Sequence, residues 1–490
     1  MGGGAHAQAA LRHAVESPRG DAGLTPVVSA ASPSHNPRLV AAHVLLDVDA
    51  GRRADASLER RARGLTGADR GLCQEIAFGA LRWRLTLDCR LDQLLRQGLG
   101  SLPLSVRAIL EVAAYQVLFL DRVPAHAAIK DAVDHVRELL PAAQARGLAG
   151  VVNATLRRLA EARIAAAAAE EIPALPSAHL SGADPDAHEL AVAWSHPAWL
   201  VGRWLARFGP DRTRALLEAD NRPPGVHLRP HSGRIAGTEL VQRLERDGAS
   251  VEPHPLHAGS LTLRSGDPAA LDAFREGLFT VQDVSAQMVS RLVPDDSSGL
   301  FVDVCAAPGG KIGAAAERPE GRTFVAADIS AVRLRRIVDT ARRQDLPLRA
   351  VVADARTLAL RRAPSFVLAD VPCLGTGTLR RRADARWRLS RERLADLLDL
   401  QRGILANAAD LLAPGGRILY ATCSLEAEEN EQMVAWLLSS RPDLTPVNLE
   451  PLISPSLALR LPGRAECALF VTPEAGDCDG AFAVLLEKAA

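Results

Sequence analysis

Two cysteines each close a short apolar run. Cys373 ends Phe366-Val-Leu-Ala-Asp370-Val-Pro-Cys373, and Cys423 ends Ile418-Leu-Tyr-Ala-Thr-Cys423. If the runs are neighbouring strands, both thiols face one cleft. A lone cysteine is most often a small buried hydrophobe, but two at one cleft invite a nucleophile. A zinc pair is the competing reading; no matching His or Cys set stands nearby, and no two cysteines have C-x-x-C spacing. Acids mark the same pattern. Asp328 closes Phe324-Val-Ala-Ala-Asp328, Asp354 closes Val351-Val-Ala-Asp354, and Asp370 leads into Cys373.

The first run, Phe301-Val-Asp303-Val-Cys305-Ala306-Ala307-Pro308-Gly309-Gly310-Lys311, passes into a glycine turn. Such a turn brings backbone amides close to a ligand. It lacks the spacing and the Ser or Thr of a P-loop and is not G-x-G-x-x-G, which argues against a triphosphate or a dinucleotide. A ligand bearing a carboxylate and an amine, such as S-adenosylmethionine, fits better. Asp328 suits ribose hydroxyls, and Asp354 an adenine amino group. Each acid has a rival reading as a helix or turn cap; their recurrence at successive strand ends favours the ligand. Lys311 stands out because Lys130, Lys311 and Lys488 are the only lysines among 58 basic residues.

A thiolate beside a methyl donor matches methylation of cytosine at C5. That carbon is a poor nucleophile until a thiolate adds to C6 and leaves an enamine. The thiolate must be activated. An acid near N3 must take up the added charge, for which Asp370 is suited, and a base must remove the C5 proton. The target has to be unstacked, so single-stranded or flipped RNA is the expected substrate. Directly after Cys373 comes Thr376-Gly-Thr-Leu-Arg380-Arg381-Arg382-Ala-Asp-Ala-Arg386-Trp387-Arg388. Arginines beside a tryptophan suit phosphate contacts and base stacking, which marks Arg380, Arg381, Arg382 and Trp387 for RNA. A solvated arginine loop is the rival.

Periodicity and punctuation give the elements that must position these residues. Apolar runs alternating with helical stretches over 296–490 predict a parallel sheet with helices on both faces and ligands beyond its carboxyl ends. A helix over Glu426–Leu438 precedes Ala468–Val471 and Ala481–Leu486, which predict an antiparallel edge pair. Residues 191–295 read as a mixed α+β segment. Helices are expected over Trp199–Phe208, from a cap at Asp211 to Ala219, over Thr238–Asp247 and over Ser285–Val293. Strands are expected at Val226–Arg229, Leu261–Leu263 and Leu278–Val281. Asn221-Arg222-Pro-Pro reads as a rigid loop, either a simple turn or a presenter of Asn221 and Arg222 to a base. Residues 38–165 read as all helical, with one stretch over Leu72–Leu95. Residues 166–190 read as a linker, and residues 1–37, rich in Gly, Ala, Ser and Pro, as a disordered tail.

At 490 residues several domains are expected. The formal net charge of +0 decides nothing about nucleic acid. Seven scattered cysteines make no disulfide framework and fit a reducing cytosol. No run has the length of a membrane span, and the start carries no secretory pattern; a cytoplasmic protein is expected.

With these residues in view, the chain resembles the RNA 5-methylcytosine methyltransferases of the Sun/NOL/NOP family. The resemblance is carried by Asp303-Val-Cys-Ala-Ala-Pro-Gly-Gly-Lys311, by Asp370-Val-Pro-Cys373-Leu-Gly-Thr-Gly377, and by Tyr420-Ala-Thr-Cys423-Ser-Leu-Glu-Ala-Glu428-Glu429-Asn430. Val281-Gln282-Asp283-Val-Ser-Ala-Gln287 matches the lead-in to the catalytic domain. Val123-Pro-Ala-His-Ala-Ala-Ile-Lys130-Asp-Ala-Val133 and Asn153-Ala-Thr-Leu-Arg157-Arg158 resemble a NusB-like RNA-binding domain. That pairing is typical of the bacterial RsmB/Sun type, which modifies small-subunit ribosomal RNA. The resemblance covers residues 38 to 488.

It implies an N-terminal all-α NusB-like bundle, a small α+β middle domain, and a C-terminal α/β, Rossmann-like methyltransferase. It implies that Cys423 is the nucleophile and that Cys373 assists release of the methylated RNA. By the same resemblance, Cys305, Ala306, Ala307, Pro308, Gly309, Gly310, Lys311, Asp328, Asp354 and Asp370 line the S-adenosylmethionine site. The implied reaction is methyl transfer to C5 of a cytosine in 16S ribosomal RNA through a covalent Cys–C6 intermediate. The expected substrate is naked or partly assembled small-subunit RNA, and the enzyme a monomer without metal. Val371 and Leu374 stand where the family usually has Ala and Ser. The same chemistry on transfer RNA is one alternative. A non-catalytic RNA-binding factor that kept the fold is another, against which the two intact thiols argue.

Overall fold

Asn36 starts the first helix. Its Oδ1 accepts from the amides of Arg38 at 2.9 Å and Leu39 at 3.4 Å, and Pro37 takes the first helical position, where no amide is needed. The computed structural model describes residues 35–168, 186–294 and 298–490. From Pro37 the chain runs through α1 (Pro37–Asp49), α2 (Ala54–Arg61), α3 (Gly67–Arg82), α4 (Arg84–Leu94), α5 (Leu104–Phe119), α6 (Ala125–Leu139), α7 (Ala142–Ala168), α8 (Ala187–Trp194), α9 (Ala198–Phe208) and α10 (Pro210–Asn221). These helices form one compact unit ending at Arg222, which also takes in the segment Arg382–Arg388. Helix α5 is buried on almost every side, and α1, α6 and α7 pack against it. Gly79 lets the ring of Tyr115 close on α3: a Cβ there would fall 2.0 Å from it. Arg84, buried in this unit, is paired with two acids, which offsets a cost of several kcal/mol. Arg84 reaches Glu111 at 2.9 Å and Asp49 at 2.8 Å.

Several sequence boundaries move. Leu72–Leu95 is two helices, broken at Trp83, whose ψ of 14° leaves the helical register. Asp211 is not a cap; Gly209 is, and Pro210 opens α10. Asp186, by contrast, caps α8 through the amides of His188 and Glu189, both at 2.8 Å. Helices therefore run into the expected linker from both sides. The residues between them, like the expected tail up to residue 34, lie outside the described residues. The division between compact units falls at Arg222, so the helices of the expected middle segment group with the bundle.

The second unit holds residues Pro223–Arg381 and Leu389–Ala490. Its first part is β1 (Val226–Pro230), α11 (Gly237–Arg246), β2 (Ser250–His254), β3 (His257–Ser265), α12 (Asp272–Arg275) and β4 (Phe279–Val281). The strands form a 4-stranded antiparallel sheet in the order β2-β3-β1-β4. Sequence reading passed over β2, which is mostly exposed and carries Pro253, a residue that demotes a strand.

The second part is α13 (Val284–Arg291), β5 (Gly299–Asp303), α14 (Gly310–Ala316), β6 (Arg322–Asp328), α15 (Ala331–Gln344), β7 (Leu348–Val352), β8 (Phe366–Asp370), α16 (Arg391–Leu411), β9 (Arg417–Thr422), α17 (Glu431–Ser440), β10 (Leu444–Pro446), β11 (Ala458–Arg460), β12 (Cys467–Val471) and β13 (Ala481–Lys488). They build a 9-stranded mixed sheet in the order β11-β12-β13-β9-β8-β5-β6-β7, with β10 against β13. Strands β5 to β9 are parallel, as the alternating pattern predicts. Phe301 pairs across to Phe324 and Phe366, with ring centroids 5.2 and 4.7 Å away. That aromatic row fixes the register, and the same register carries Asp303, Asp328 and Asp370 to one end of the sheet. The antiparallel pair β12–β13 is present, but β13 lies inside the sheet and β11 is outermost. Helix α17 begins at Glu431 rather than Glu426; Ala427–Glu429 is a single 3-10 turn. Among the described residues no helix is long and apolar enough to cross a membrane.

Candidate active site

Strand β5 has β6 on one side and β8 on the other, so the chain reverses its winding there. Ligands bind outside the carboxyl ends of strands at such a reversal, and the glycine turn sits at this point. Gly309 has φ of +99°, and a Cβ on it would press within 3.1 Å of Ile337. Asp303 lies beneath the turn, fully buried, and accepts from the Cys305 amide at 3.1 Å. Burial, and then the nearby Asp370, hold its carboxyl well above the usual carboxylate range. Burial also pushes the Cys305 thiol up, which makes it an inert thiol.

Asp328 ends β6 and accepts from the amides of Ser330 at 2.8 Å and Ala307 at 3.2 Å. Its carboxylate thus lies against the turn, with Arg333 beside it at 2.8 Å. Ile329, the next residue, leaves its apolar side chain 63% exposed. Asp354 behaves differently. It stands two residues beyond β7 and spends its oxygens on Arg356, taking the amide at 2.9 Å and the guanidinium at 2.6 Å. That is the turn-cap arrangement its rival reading describes. The remaining donors suit a ligand with a diol, a carboxylate and an amine.

On the other side of β5, β8 and β9 bring the two thiols together. The Sγ atoms of Cys373 and Cys423 are 3.4 Å apart, and both residues are half-buried. Lys311 reaches across from α14 and sets its Nζ 2.6 Å from Asp370 Oδ2. Burial opposes the lysine's charge most, but Asp370, Cys423 and Asp303 together outweigh it, so the ammonium is raised above its ordinary range. The hydrogen bond to Cys423 and then burial push the Cys373 thiol well up. The two thiols thus share one contact, and Cys423 also lies in the field of Lys311. The Cys423 loop is held on every side. Thr422 donates to Asn430 at 2.6 Å, Asn430 donates to the Ser424 carbonyl at 2.9 Å, and the Gly377 amide donates to the Cys423 carbonyl at 2.9 Å. Gly377 must be glycine, because a Cβ would sit 2.7 Å from the Cα of Gly480.

Glu429, which the sequence motif includes without a role, and Gln401, which sequence reasoning missed, complete the site. Glu429 is fully buried on the loop after Cys423, and its two oxygens accept from the Leu374 amide at 3.0 and 3.2 Å. Gln401, on α16, donates to Glu429 and to the Pro372 carbonyl, each at 2.9 Å. Glu429 stands in an acid-rich stretch with Glu426, Glu428 and Glu431. Only the 3-10 turn, invisible in that composition, turns it inward.

The arginine segment is corrected. Arg380 is buried, paired with Asp477, and donates to the Cys478 carbonyl at 3.0 Å. Arg381 pairs with Asp283 at 2.6 Å and Asp479 at 2.7 Å. Trp387 donates its indole N–H to the Leu81 carbonyl at 2.8 Å. The expected roles of Arg380, Arg381 and Trp387 on RNA give way to these internal bonds; Arg382 alone of the four is exposed. Asn221 likewise faces inward, accepting from the fully buried Arg386 at 2.7 Å, and presents nothing to a base.

Comparison with known proteins follows this geometry. A family model described as 16S rRNA methyltransferase RsmB/F matches residues 289–487, a NusB family model matches 35–161, and a ferredoxin-like domain model of RsmF/B-like methyltransferases matches 196–269. The probable ribosomal RNA small subunit methyltransferase B of Synechocystis is 32% identical over 390 residues, covering 77% of this chain and 83% of the relative. The ribosomal RNA small subunit methyltransferase B of Vibrio cholerae is 30% identical over 421 residues, covering 85% and 92%. Among solved structures, PH0851 superposes with a TM-score of 0.73 at 23% identity, covering 94% of this chain and all of that one, a likeness of fold.

Proposed function

The chain belongs to the RsmB/F family of 16S ribosomal RNA methyltransferases, and from that premise we propose that it methylates C5 of a cytosine through a covalent Cys423–C6 adduct. It is an S-adenosylmethionine-dependent methyltransferase with small-subunit ribosomal RNA as substrate. The residues that would hold the methyl donor are Cys305 to Lys311 through their backbone, Asp328 through its carboxylate, and Asp370. Their chemistry fits it: an acidic acceptor for a ribose diol, the amides at the start of α14 for a carboxylate, and a second carboxylate, shared with Lys311, for a cationic group. Asp354 is the least suited of the expected set: its oxygens turn to Arg356, whereas Asp328, though paired with Arg333, lies against the glycine turn. When bound, S-adenosylmethionine supplies an electrophilic methyl group.

The observation that carries the cytosine reading is the thiol pair, 3.4 Å apart beside the Lys311–Asp370 ion pair. Cys423, as thiolate, adds to C6. The Lys311 ammonium, held in place by Asp370, stabilises the negative charge this sends to the base, and the resulting enamine makes C5 nucleophilic. After methylation a base must take the C5 proton; the C5–H electrons re-form the C5=C6 bond, the C6–S bond breaks, and Cys423 leaves as thiolate. Cys373, the neighbouring thiol, assists that release. RNA must present an unstacked base to reach such a cleft.

The test is a methylation assay on naked small-subunit ribosomal RNA with tritiated methyl donor, read at nucleotide level by bisulfite sequencing. A protected cytosine carrying the label supports the reading. Label elsewhere, or RNA binding with no incorporation, overturns it.

A further inference from the structure

The Cys373 side chain meets Cys423 through one sulfur–sulfur contact of 3.4 Å. The backbone on each side of Cys373 is gripped as well: the Leu374 amide by both oxygens of Glu429, and the Pro372 carbonyl by Gln401. Gln401 and Glu429 are bonded to each other at 2.9 Å. The grip joins three separate pieces of chain, the β8 loop, helix α16 and the loop after β9. At Leu374, where the family usually has Ser, the contact is made by the main-chain amide and not by the buried side chain. The Glu429 backbone is itself held, since Tyr420 donates its hydroxyl to the Glu429 carbonyl from within β9. The acid that grips Cys373 is thus tied to the strand that ends at Cys423.

We propose that Glu429, supported by Gln401, is the positioning residue for the second thiol, and that it serves release of the methylated RNA rather than methyl transfer. The proposal rests on the covalent Cys423–C6 reading above. Losing the grip lets the Pro372–Leu374 turn relax and carries the Cys373 thiol away from its place beside Cys423. The nucleophile keeps its own supports, Asn430, Gly377 and Lys311, so attack and the first methyl transfer proceed. What stalls is the step that needs a thiol beside the methylated base, and the enzyme stays attached to its RNA.

The experiment compares Glu429→Ala, Glu429→Gln and Gln401→Met with wild type and with Cys373→Ala on small-subunit RNA, under single-turnover and multiple-turnover conditions. Folding is checked by melting temperature, and adducts are read on a denaturing gel. Glu429→Ala is expected to complete the first transfer within about threefold of wild type while its turnover falls about 100-fold, the scale of loss when a reacting group is displaced by about an ångström, and it accumulates adduct. Gln401→Met shows the same split more weakly and decides the matter if Glu429→Ala does not fold. Glu429→Gln keeps an acceptor for the Leu374 amide and restores turnover. Wild-type turnover without adduct in Glu429→Ala or Gln401→Met overturns the proposal. So does loss of the first transfer as complete as in Cys423→Ala, which would put the grip in the service of the nucleophile. Absence of adduct with Cys373→Ala itself overturns the covalent reading beneath it, and the two failures are thereby told apart.

Discussion

Lys311 Nζ and Asp370 Oδ2 form an ion pair of 2.6 Å that spans the β5–β8 boundary, and the same lysine feels the charge of Cys423. One cation therefore serves two groups that the reaction needs. A lysine can do this where an arginine does less well, because its ammonium is a compact point charge. In a chain with three lysines among 58 basic residues, that choice is informative.

Lys311→Met should leave Asp370 and Cys423 without their shared counter-charge. The methylation rate at saturating RNA is expected to fall by about 100-fold or more, the scale of losing one preorganised electrostatic partner. Raising the pH should recover part of the loss, because the uncompensated thiol ionises later. A rate within threefold of wild type would remove Lys311 from the chemistry.

Asp328→Ala removes the carboxylate beside the glycine turn. Hydrogen bonds to a charged group are worth about 1.5–3 kcal/mol, so affinity for S-adenosylhomocysteine, read by calorimetry, should weaken roughly 10- to 100-fold. Asp354→Ala is the companion, expected to weaken it far less because that acid caps its own turn through Arg356, while Asp328 bonds the Ala307 amide of the glycine turn. Equal losses would restore Asp354 to the donor site.

Burial raises the Glu429 carboxyl from 4.5 to about 7, with Glu426 adding to the effect and Ser424, the Leu374 amide and Gln401 working against it. The sign follows from proton counts. Between these values the folded protein holds a proton that the unfolded chain has lost, so the unfolding free energy falls as pH rises. The contribution is about 3 kcal/mol across that window and is constant above it. Glu429→Gln has no such proton. Urea unfolding at pH 4.5 and 7.5 should therefore show the variant gaining on wild type at the higher pH. A difference independent of pH would contradict the assignment.

Arg381 sits between Asp283 and Asp479, both nearly buried. Arg381→Met should destabilise the protein by about 3–5 kcal/mol, because it leaves buried carboxylates without a partner. RNA affinity should change little at pH and salt where the variant is folded. A stable variant with weakened RNA binding would return Arg381 to the nucleic-acid interface.

Legibility from sequence followed a physical divide. Strand ends were readable because short apolar runs beginning with Phe301, Phe324 and Phe366 pair in register, and their terminal Asp and Cys residues arrive at one edge by alternation alone. The thiol pair was readable for the same reason. Glu429 and Gln401 were not, since nothing local says that an acid after β9 meets an amide after β8; that choice is made by the 3-10 turn and by packing of α16. Arg380, Arg381 and Trp387 misled because an arginine-rich loop looks the same whether its partners are phosphates or the chain's own carboxylates and carbonyls. Asp477 and Asp479, far along the chain, decided it.

The central claim is that Cys423 attacks the base and Cys373 frees the product. It is tested most directly by incubating Cys373→Ala with small-subunit ribosomal RNA and methyl donor and resolving the products on a denaturing gel. The account predicts a slow, RNA-containing protein band that is absent from wild type and from the Cys373→Ala, Cys423→Ala double variant. Free turnover by Cys373→Ala, or an adduct that survives loss of Cys423, would contradict it.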